Sequence, residues 1–235
     1  TVIIFLQDTV SVDAKRNAKY KSIIAQFQKY GAEICFDRLD VTSLTKIIMS
    51  GAAKRGCNID RETAAYLIET SGNDLTILQN ETDKLCNFKN GDQITKTDID
   101  EVCVKSLEAS VFDLSRAVTK NDGKKAFSVL HKLFAEKEKP ELILGTMIMA
   151  FVDMYRAKVA VSSGEKANFA AICYNYRGRE FRLRNASYDS RNISIKTLRK
   201  NLDSLNEADR KLKIRVTDEK IILEKLLVEL LRSEQ

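Results

Sequence analysis

The side chains best suited to catalysis or metal binding are few and widely spaced in this sequence. Its five cysteines stand at positions 35, 57, 86, 103 and 173. No two of them form a C-x-x-C pair, and His131 is the only histidine. Because a structural zinc site needs about four Cys or His ligands, usually in two close pairs, the spacing predicts no metal site. We expect instead reduced, mostly buried thiols in a cytosolic protein.

Motifs for nucleotide binding and for covalent catalysis are also missing from the sequence. It contains no G-x-x-x-x-G-K-S/T phosphate loop, no G-x-G-x-x-G turn and no G-x-S-x-G elbow. The single histidine stands between Leu130 and Lys132 in a predicted helix, a setting typical of a surface residue. The sequence therefore predicts no cofactor and no catalytic activity of its own.

The strongest charge feature is a basic segment at residues 177–215. It holds twelve Lys or Arg and five Asp or Glu residues, a balance of +7 in a chain whose formal net charge is +6. Such a segment attracts a phosphate backbone or an acidic partner, but an ordinary solvated helix face has the same composition, and all three interpretations stay open. The candidate phosphate or partner contacts are Arg177, Arg179, Arg182, Arg184, Arg199 and Lys200.

The overall composition indicates long helices around apolar cores. Hydrophobic residues make up 44% of the 235 residues and charged residues 31%, which is too apolar for a disordered chain. One proline and nine glycines leave few helix breakers. No apolar run approaches the roughly 18 residues that span a bilayer, and no signal peptide is recognisable. We therefore expect no membrane contact and a cytoplasmic location.

The first forty residues have the pattern of a β-α-β unit. Residues 2–6 form an apolar, β-branched run typical of a strand buried on both faces. Residues 13–30 follow as an amphipathic helix, and residues 33–36 are a second candidate strand. Two strands cannot form a stable parallel sheet alone, and the sequence lacks an initiator Met. We therefore expect residues 1–39 to be the end of a larger α/β domain that begins upstream.

After residue 40 the strand signals stop, and the sequence predicts two helical domains. Residues 40–105 predict a compact domain. Its helices are expected to begin at Asp40 or Thr42, at Asp60, at Asn73-Asp74 and at a capping box of Thr95 and Asp98. Residues 106–235 predict the second domain. Its helices are expected at 108–120, at 124–137, from Pro140 onward, at two short stretches within 165–193, at 194–213 and at 218–234. The predicted fold class is therefore mainly α.

Several short segments, taken in order, resemble the bacterial DNA polymerase III delta subunit family. They are DAKRNAKYK at 13–21, GNDLTILQNETDKL at 72–85, ITKTDI at 94–99, FDLSRAV at 112–118, FVDMYRAK at 151–158 and ADRKLK at 208–213. The segment at 72–85 is the most characteristic of the family, and residues 165–193 match weakly. The resemblance extends over nearly the whole chain.

This resemblance implies a clamp-loader subunit in three parts. Residues 1–39 are then the remnant of an AAA+-like domain, residues 40–105 a helical lid and residues 106–235 a helical collar. The family is described as the wrench that opens the sliding clamp during DNA replication, within the DNA polymerase III holoenzyme, a DNA-directed DNA polymerase and nucleotidyltransferase. The resemblance implies no productive ATP binding or hydrolysis. It implies other loader subunits as partners through the collar, and DNA contact within the complex.

One departure from the family limits what is carried over. The clamp-binding element of the family lies in the first domain, before residue 1 of this chain. The sliding clamp is therefore expected as a partner only through that missing region, and no clamp contact is assigned to a residue here.

Two other functions stay open on the sequence alone. Residues 165–187 have the length and charge of a helix-turn-helix in which Arg177, Arg179, Arg182 and Arg184 meet phosphates of nucleic acid. Alternatively, the chain is a fragment of an active AAA+ ATPase whose phosphate loop lies upstream. A phosphate-loop lysine in the upstream sequence distinguishes the ATPase from the other two functions.

Overall fold

The computed structural model of the protein describes residues 3–6, 18–32, 34, 39–166, 173–174, 176, 180–214 and 218–232. Within these ranges the chain forms eleven helices and two short strands, so the predicted mainly α fold class is confirmed. Residues 1–38 and residues 39–235 form separate compact units.

The first unit contains helix α1 (Ala18–Tyr30), which confirms the described part of the predicted helix at 13–30. The strand predicted at 2–6 is wrong for residues 3–6, which belong to no strand and are each at least 72% exposed. A strand needs a neighbour to bond its backbone, and the described residues of this unit contain no second strand. Of the strand predicted at 33–36, only Ile34 is described, and it is exposed.

The second unit is an ordered series of ten helices within the described residues. They are α2 (Val41–Lys54), α3 (Arg61–Ser71), α4 (Leu75–Lys89), α5 (Lys96–Val102), α6 (Leu107–Thr119), α7 (Gly123–Ala135), α8 (Pro140–Ser162), α9 (Glu180–Asp189), α10 (Ile195–Ile214) and α11 (Glu219–Arg232). Only one of the two short helices predicted within 165–193 falls among these residues, as α9. The other lies mostly outside the described residues.

The helix starts lie where the predicted capping residues stand. Asp40, Asp60 and Asp74 each accept a hydrogen bond from the backbone N–H three residues further on, at 2.7, 2.7 and 3.0 Å. The N–H of Thr63 thereby holds the pKa of Asp60 below its usual value. Thr95 caps α5 in the predicted capping box. These bonds satisfy backbone donors that the first helical turn leaves unpaired.

One strand pair was missed by the sequence reasoning. β1 (Asn58–Ile59) and β2 (Gln93–Ile94) pair in parallel, with Ile59 opposite Ile94. Both isoleucines are buried, at 2% and 0% exposure. Two residues are too short to produce an alternating pattern, so the pairing becomes visible only when α3 and α4 bring the two segments together.

The apolar side chains of the second unit form two separate cores. The N-terminal core consists of Leu44, Ile48, Ala52, Cys57, Ile59, Ala64, Leu67, Ile68, Leu78, Leu85, Cys86, Ile94 and Ile99. The C-terminal core is larger, runs from Val111 to Leu230 and has Phe151 of α8 among its fully buried side chains. No side chain belongs to both cores as the structure describes them. The predicted domain boundary near residue 105 stays a prediction, and it falls between these cores.

Candidate interaction surface

Between Leu142 and Val152, helix α8 carries no charged side chain on any side, yet one side of this stretch is left uncovered. Ile143, Met147 and Phe151 face the C-terminal core and are at most 1% exposed. On the opposite side Leu142 and Met149 remain 52% and 42% exposed. A helix that is hydrophobic all round is normally buried all round. The uncovered side of α8 is therefore an unusual surface for a solvated helix.

The uncovered side has a regular geometry. Leu142, Gly145, Met149 and Val152 follow one another at spacings of three, four and three residues, so they share one helix face. Val152 is half-buried, and a Cβ placed on Gly145 meets no atom within 4 Å. We call these four residues the outer stripe of α8. The stripe presents an apolar ridge with an open notch at its glycine.

A buried ionic network joins α8 to α9 beneath this surface. Asp153 is 4% exposed, and Arg182 binds its Oδ2 through Nε at 3.0 Å and Nη2 at 2.8 Å. The hydroxyl of Tyr176 donates to Oδ1 of the same carboxylate, and Arg156 Nη1 donates to that hydroxyl at 2.9 Å. Burial, together with the bond to Asp153, raises the pKa of Tyr176 above its ordinary value. The tyrosine therefore stays a proton donor at neutral pH.

This network corrects the expectation for Arg182. The sequence placed it among the candidate phosphate contacts, but only 10% of its side chain is exposed. Its guanidinium is also stacked 5.6 Å from the ring centre of Phe112. A guanidinium held by a buried carboxylate and an aromatic ring has no face left for a phosphate. The side chain of Arg182 is therefore mostly buried, and its guanidinium is already bound.

The other candidate basic contacts divide by location. Arg177 and Arg179 lie outside the described residues. Arg184 and Lys200 are exposed on α9 and α10. Arg199 is also exposed, and its Nε donates to the hydroxyl of Tyr155 on α8 at 3.0 Å. Of the six candidates, three are thus placed on the described surface.

Arginine–tyrosine stacking is a surface feature that the sequence reasoning did not find. The pairs are Arg156 over Tyr174, Arg191 over Tyr188 and Arg199 over Tyr155, with 4.0, 4.4 and 5.7 Å from guanidinium carbon to ring centre. Tyr174 and Tyr188 are 54% and 60% exposed. Tyr188 and Arg191 are close because the chain turns at the end of α9, where the N–H of Arg191 donates to the oxygen of Tyr188 at 3.3 Å.

Two of these pairs meet at one junction. Lys158 Nζ donates to the backbone oxygens of Ser190 at 3.0 Å and Arg191 at 2.8 Å. Lys158 lies one turn from Tyr155 on α8, and Arg199 of α10 is stacked on the ring of Tyr155. The end of α9 and the start of α10 are thereby fixed against α8. This arginine–tyrosine junction combines cations with exposed aromatic faces.

The described cysteines differ in their exposure. Cys57 and Cys86 are buried, Cys103 is half-buried and Cys173 is exposed, whereas Cys35 lies outside the described residues. Burial raises the pKa of Cys86 to about 11 and that of Cys103 to about 12, so both thiols stay protonated at neutral pH.

His131 is exposed on α7, with Nε2 3.0 Å from Glu224 Oε1, which confirms the predicted surface position. Among the described residues, no three His, Cys, Asp or Glu side chains are grouped so that they could share a metal ion. None of the helices in the described residues has the length and hydrophobicity of a transmembrane span.

Two family models match this chain. One, described as the C-terminal domain of the DNA polymerase III delta subunit, matches residues 108–230. The other, described as a middle domain, matches residues 43–101. The first match contains the whole C-terminal core, and the second contains the whole N-terminal core.

Individual relatives agree with the family models. The chain is 22% identical over 236 residues to DNA polymerase III subunit delta of Bacillus subtilis (strain 168). The aligned region covers 100% of this chain and 66% of the relative. It is 23% identical over 161 residues to the probable DNA polymerase III subunit delta of Aquifex aeolicus (strain VF5). That aligned region covers 68% of this chain and 46% of the relative. The chain thus spans about two thirds of one relative and under half of the other.

A solved structure shares the fold. The Bacillus subtilis DNA clamp loader delta protein YqeN aligns with a TM-score of 0.69 at 22% identity, over 88% of this chain and 61% of that one. At this identity the likeness shows a common fold. The resemblance drawn from the ordered sequence segments is confirmed. Because the C-terminal domain model covers more than half of the 235 residues, the chain belongs to the DNA polymerase III delta subunit family.

Proposed function

We propose that this chain carries the lid and collar of a clamp-loader delta subunit. Residues 40–105 are the lid and residues 106–235 the collar. The chain holds loader subunits together, so that the complete delta subunit opens and loads the sliding clamp in the cytoplasm through its upstream clamp-binding region. The chain itself catalyses no reaction. Family membership and the fold shared with a clamp-loader protein support the proposal.

The outer stripe of α8 is the observation that carries the assembly role. Its side chains are apolar and uncovered, whereas the other faces of the same helix pack into the C-terminal core. Burying the exposed part of a Leu or Met side chain contributes about 1 kcal/mol. A neighbouring helix that covers Leu142, Met149 and Val152 therefore gains several kcal/mol from apolar contact. The notch at Gly145 allows that helix to approach the α8 backbone closely.

A double replacement of Leu142 and Met149 by glutamate tests the assembly role. We expect the variant to assemble with the other loader subunits of the same organism on the order of 100-fold more weakly, because two apolar contacts are lost and two charges are desolvated. Sedimentation velocity of the mixed subunits measures the affinity. Ile77→Glu is the matched control, because Ile77 is a 47% exposed apolar residue on α4. Assembly of the double variant at the affinity of the unchanged chain would contradict the proposal.

Nucleic-acid binding is a second candidate, supported by the arginine–tyrosine junction. Arginine and aromatic side chains together bind single-stranded nucleic acid, since the cations meet phosphates and the rings stack on bases. Tyr188 and Arg191 are both exposed at the junction, and Lys196 and Lys200 are exposed on the adjoining helix α10. The helix-turn-helix within residues 165–187 stays a separate prediction, although its Arg182 is already bound to Asp153.

The salt dependence of oligonucleotide binding tests this second candidate. We expect Lys196→Ala with Lys200→Ala to reduce the slope of log K against log salt by about 1–2, since each phosphate contact contributes roughly 0.7–0.9. Fluorescence anisotropy with a labelled single strand measures the slope. Lys211→Ala with Lys213→Ala is the control, because ion pairs with Glu207 and Asp209 already engage those lysines. An equal slope in the test variant and the unchanged chain would reject this candidate.

A further inference from the structure

Two cysteines that are distant in sequence meet in the N-terminal core. Cys57 follows the end of α2, and Cys86 lies in the last turn of α4, 29 positions further on. Both are buried, at 3% and 5% exposure. The thiol of Cys57 donates to the backbone oxygen of Cys86 at 3.6 Å, a bonding distance for sulfur. The functions proposed above use neither thiol, so this contact is unexplained by them.

Backbone hydrogen bonds fix both members of the pair. The chain leaves α2 through Gly56, at a positive φ of 78° that suits glycine, and the N–H of Cys57 then donates to the oxygen of Ala52 at 3.0 Å. On α4, the oxygen of Cys86 also accepts the N–H of Asn90 at 2.9 Å. The sulfur of Cys57 is therefore held against the residue that carries the second thiol.

The two thiols also influence each other's chemistry. Burial raises the pKa of Cys86 to about 11, a hydrogen bond with the Cys57 thiol adds to the rise, and the guanidinium of Arg55 opposes it. The thiolate is the nucleophile in thiol–disulfide exchange, and little of it is present at neutral pH when the pKa is this high. The pair therefore reacts slowly at neutral pH and faster as the pH rises.

Only Cys86 of the pair has a route to solvent in the part of the chain that the structure describes. It lines a surface cavity of about 620 Å³ between the ends of α2 and α4. The cavity is lined by Arg55, Asp83, Cys86, Asn87, Asn90 and Gly91. Cys57 is not among these lining residues, because it lies behind Cys86 in the core. A small reagent in the cavity therefore meets Cys86 first.

We propose that Cys57 and Cys86 form a dithiol site that a small disulfide of the glutathione class oxidises to one internal disulfide. The sulfur of Cys86 attacks the small disulfide, whose S–S bond breaks as a mixed disulfide forms. One small thiol leaves and takes up the proton of Cys86. The sulfur of Cys57 then attacks the Cys86 sulfur, and the second small thiol leaves with the proton of Cys57. The protein loses two electrons, which the small disulfide gains.

The internal disulfide has a structural consequence. It ties the end of α2 to α4 and closes a loop that contains all of α3. Such a cross-link stabilises a fold mainly by restricting the unfolded chain. We therefore expect the N-terminal core to open less often once oxidised, and the C-terminal core to be unaffected. This site is a property of the chain alone, so it does not rest on the proposed assembly or nucleic-acid roles.

Peptide mapping of the oxidised chain tests the pairing. The 235-residue chain is incubated with oxidised glutathione at low protein concentration, its remaining thiols are alkylated, and it is digested with trypsin without reduction. Trypsin places Cys57 in peptide 56–61 and Cys86 in peptide 85–89, with the other three cysteines in three separate peptides. We expect mass spectrometry to find peptides 56–61 and 85–89 linked as the main internal disulfide.

Two controls show whether the fold selects this pairing. Cys103→Ser is the matched variant, because Cys103 is half-buried against the same core and its loss should leave the yield of the linked pair unchanged. In about 6 M urea the reaction should instead spread over several pairings of the five cysteines, since the fold no longer holds two of them together. The same distribution of pairs in urea and in buffer overturns the proposal.

Single serine variants test the order of attack. Without Cys57 the second step cannot occur, so Cys57→Ser should retain one glutathione on peptide 85–89. Cys86→Ser should leave Cys57 unmodified over the same time, because Cys57 does not line the cavity. Circular dichroism confirms that both variants are folded. Glutathione bound to Cys57 in Cys86→Ser as fast as to Cys86 in Cys57→Ser contradicts the proposed route.

Hydrogen exchange measures the consequence for the N-terminal core. We expect oxidation to slow exchange of the most protected amides in peptides from α3 and α4 about 10-fold to 100-fold, and to leave peptides from α8 and α10 unchanged. Unchanged exchange in α3 and α4 after oxidation overturns the proposed consequence. Failure to form the linked pair at any ratio of oxidised to reduced glutathione overturns the site itself. Neither result depends on whether the chain assembles with other subunits.

Discussion

Replacing Asp153 by alanine is expected to lower the free energy of unfolding by about 3–5 kcal/mol. The substitution leaves the guanidinium of Arg182 buried without its carboxylate, and it removes the acceptor of the Tyr176 hydroxyl. A buried charge without a partner is among the costliest single changes in a folded protein. Urea denaturation followed by circular dichroism measures the loss.

Two further variants identify the cause of that loss. Asp209→Ala also removes a helical carboxylate from an ion pair, but its lysine partner is 75% exposed, so we expect at most about 1 kcal/mol. Replacing Asp153 by leucine together with Arg182 by methionine removes both buried charges, and should restore much of the stability. A loss below about 1 kcal/mol for Asp153→Ala would mean that water reaches Arg182.

Truncating Phe151 to alanine is expected to cost about 3–5 kcal/mol. Phe151 is 0% exposed and is among the largest fully buried side chains described in the chain. Removing its ring takes away apolar contacts and leaves a cavity that the surrounding helices fill only in part. Phe88→Ala is the matched control, because Phe88 is 50% exposed and should change stability by less than about 1 kcal/mol.

Hydrogen exchange locates the effect of the Phe151 truncation. We expect amide protection to fall in peptides from α8 and α10, which pack against each other, and to persist in peptides from α3 and α4. That outcome follows because the two apolar cores share no side chain in the described structure. Equal loss of protection in both sets of peptides would show that the cores unfold as one.

The helix boundaries illustrate what a sequence predicts well. Asp60, Asp74 and Thr95 mark helix starts because each side chain bonds a backbone N–H only three residues away. Such bonds depend on neighbours in the chain and need no distant partner. The spacing of Ile143, Met147 and Phe151 likewise predicts the buried face of α8. Absent nucleotide and nucleophile motifs led to the expectation of a chain without catalysis.

The errors concern features that depend on distant partners. Residues 3–6 carry a strong strand pattern, but a strand forms only where another strand bonds to it. The β1–β2 pair carries almost no pattern, yet it forms because packing brings Ile59 beside Ile94. For the β1–β2 pair, the deciding segments are more than thirty residues apart in sequence.

Two arginines show most clearly which properties follow from the sequence and which depend on the tertiary structure. As sequence, Arg182 and Arg199 are equivalent members of one basic segment, and the net charge and helical setting of that segment follow from composition alone. Only the tertiary structure turns Arg182 inward onto Asp153, 29 residues earlier, and leaves Arg199 on the surface against Tyr155. A side chain's type determines which partners it can bind, whereas its exposure to solvent depends on how α8, α9 and α10 pack.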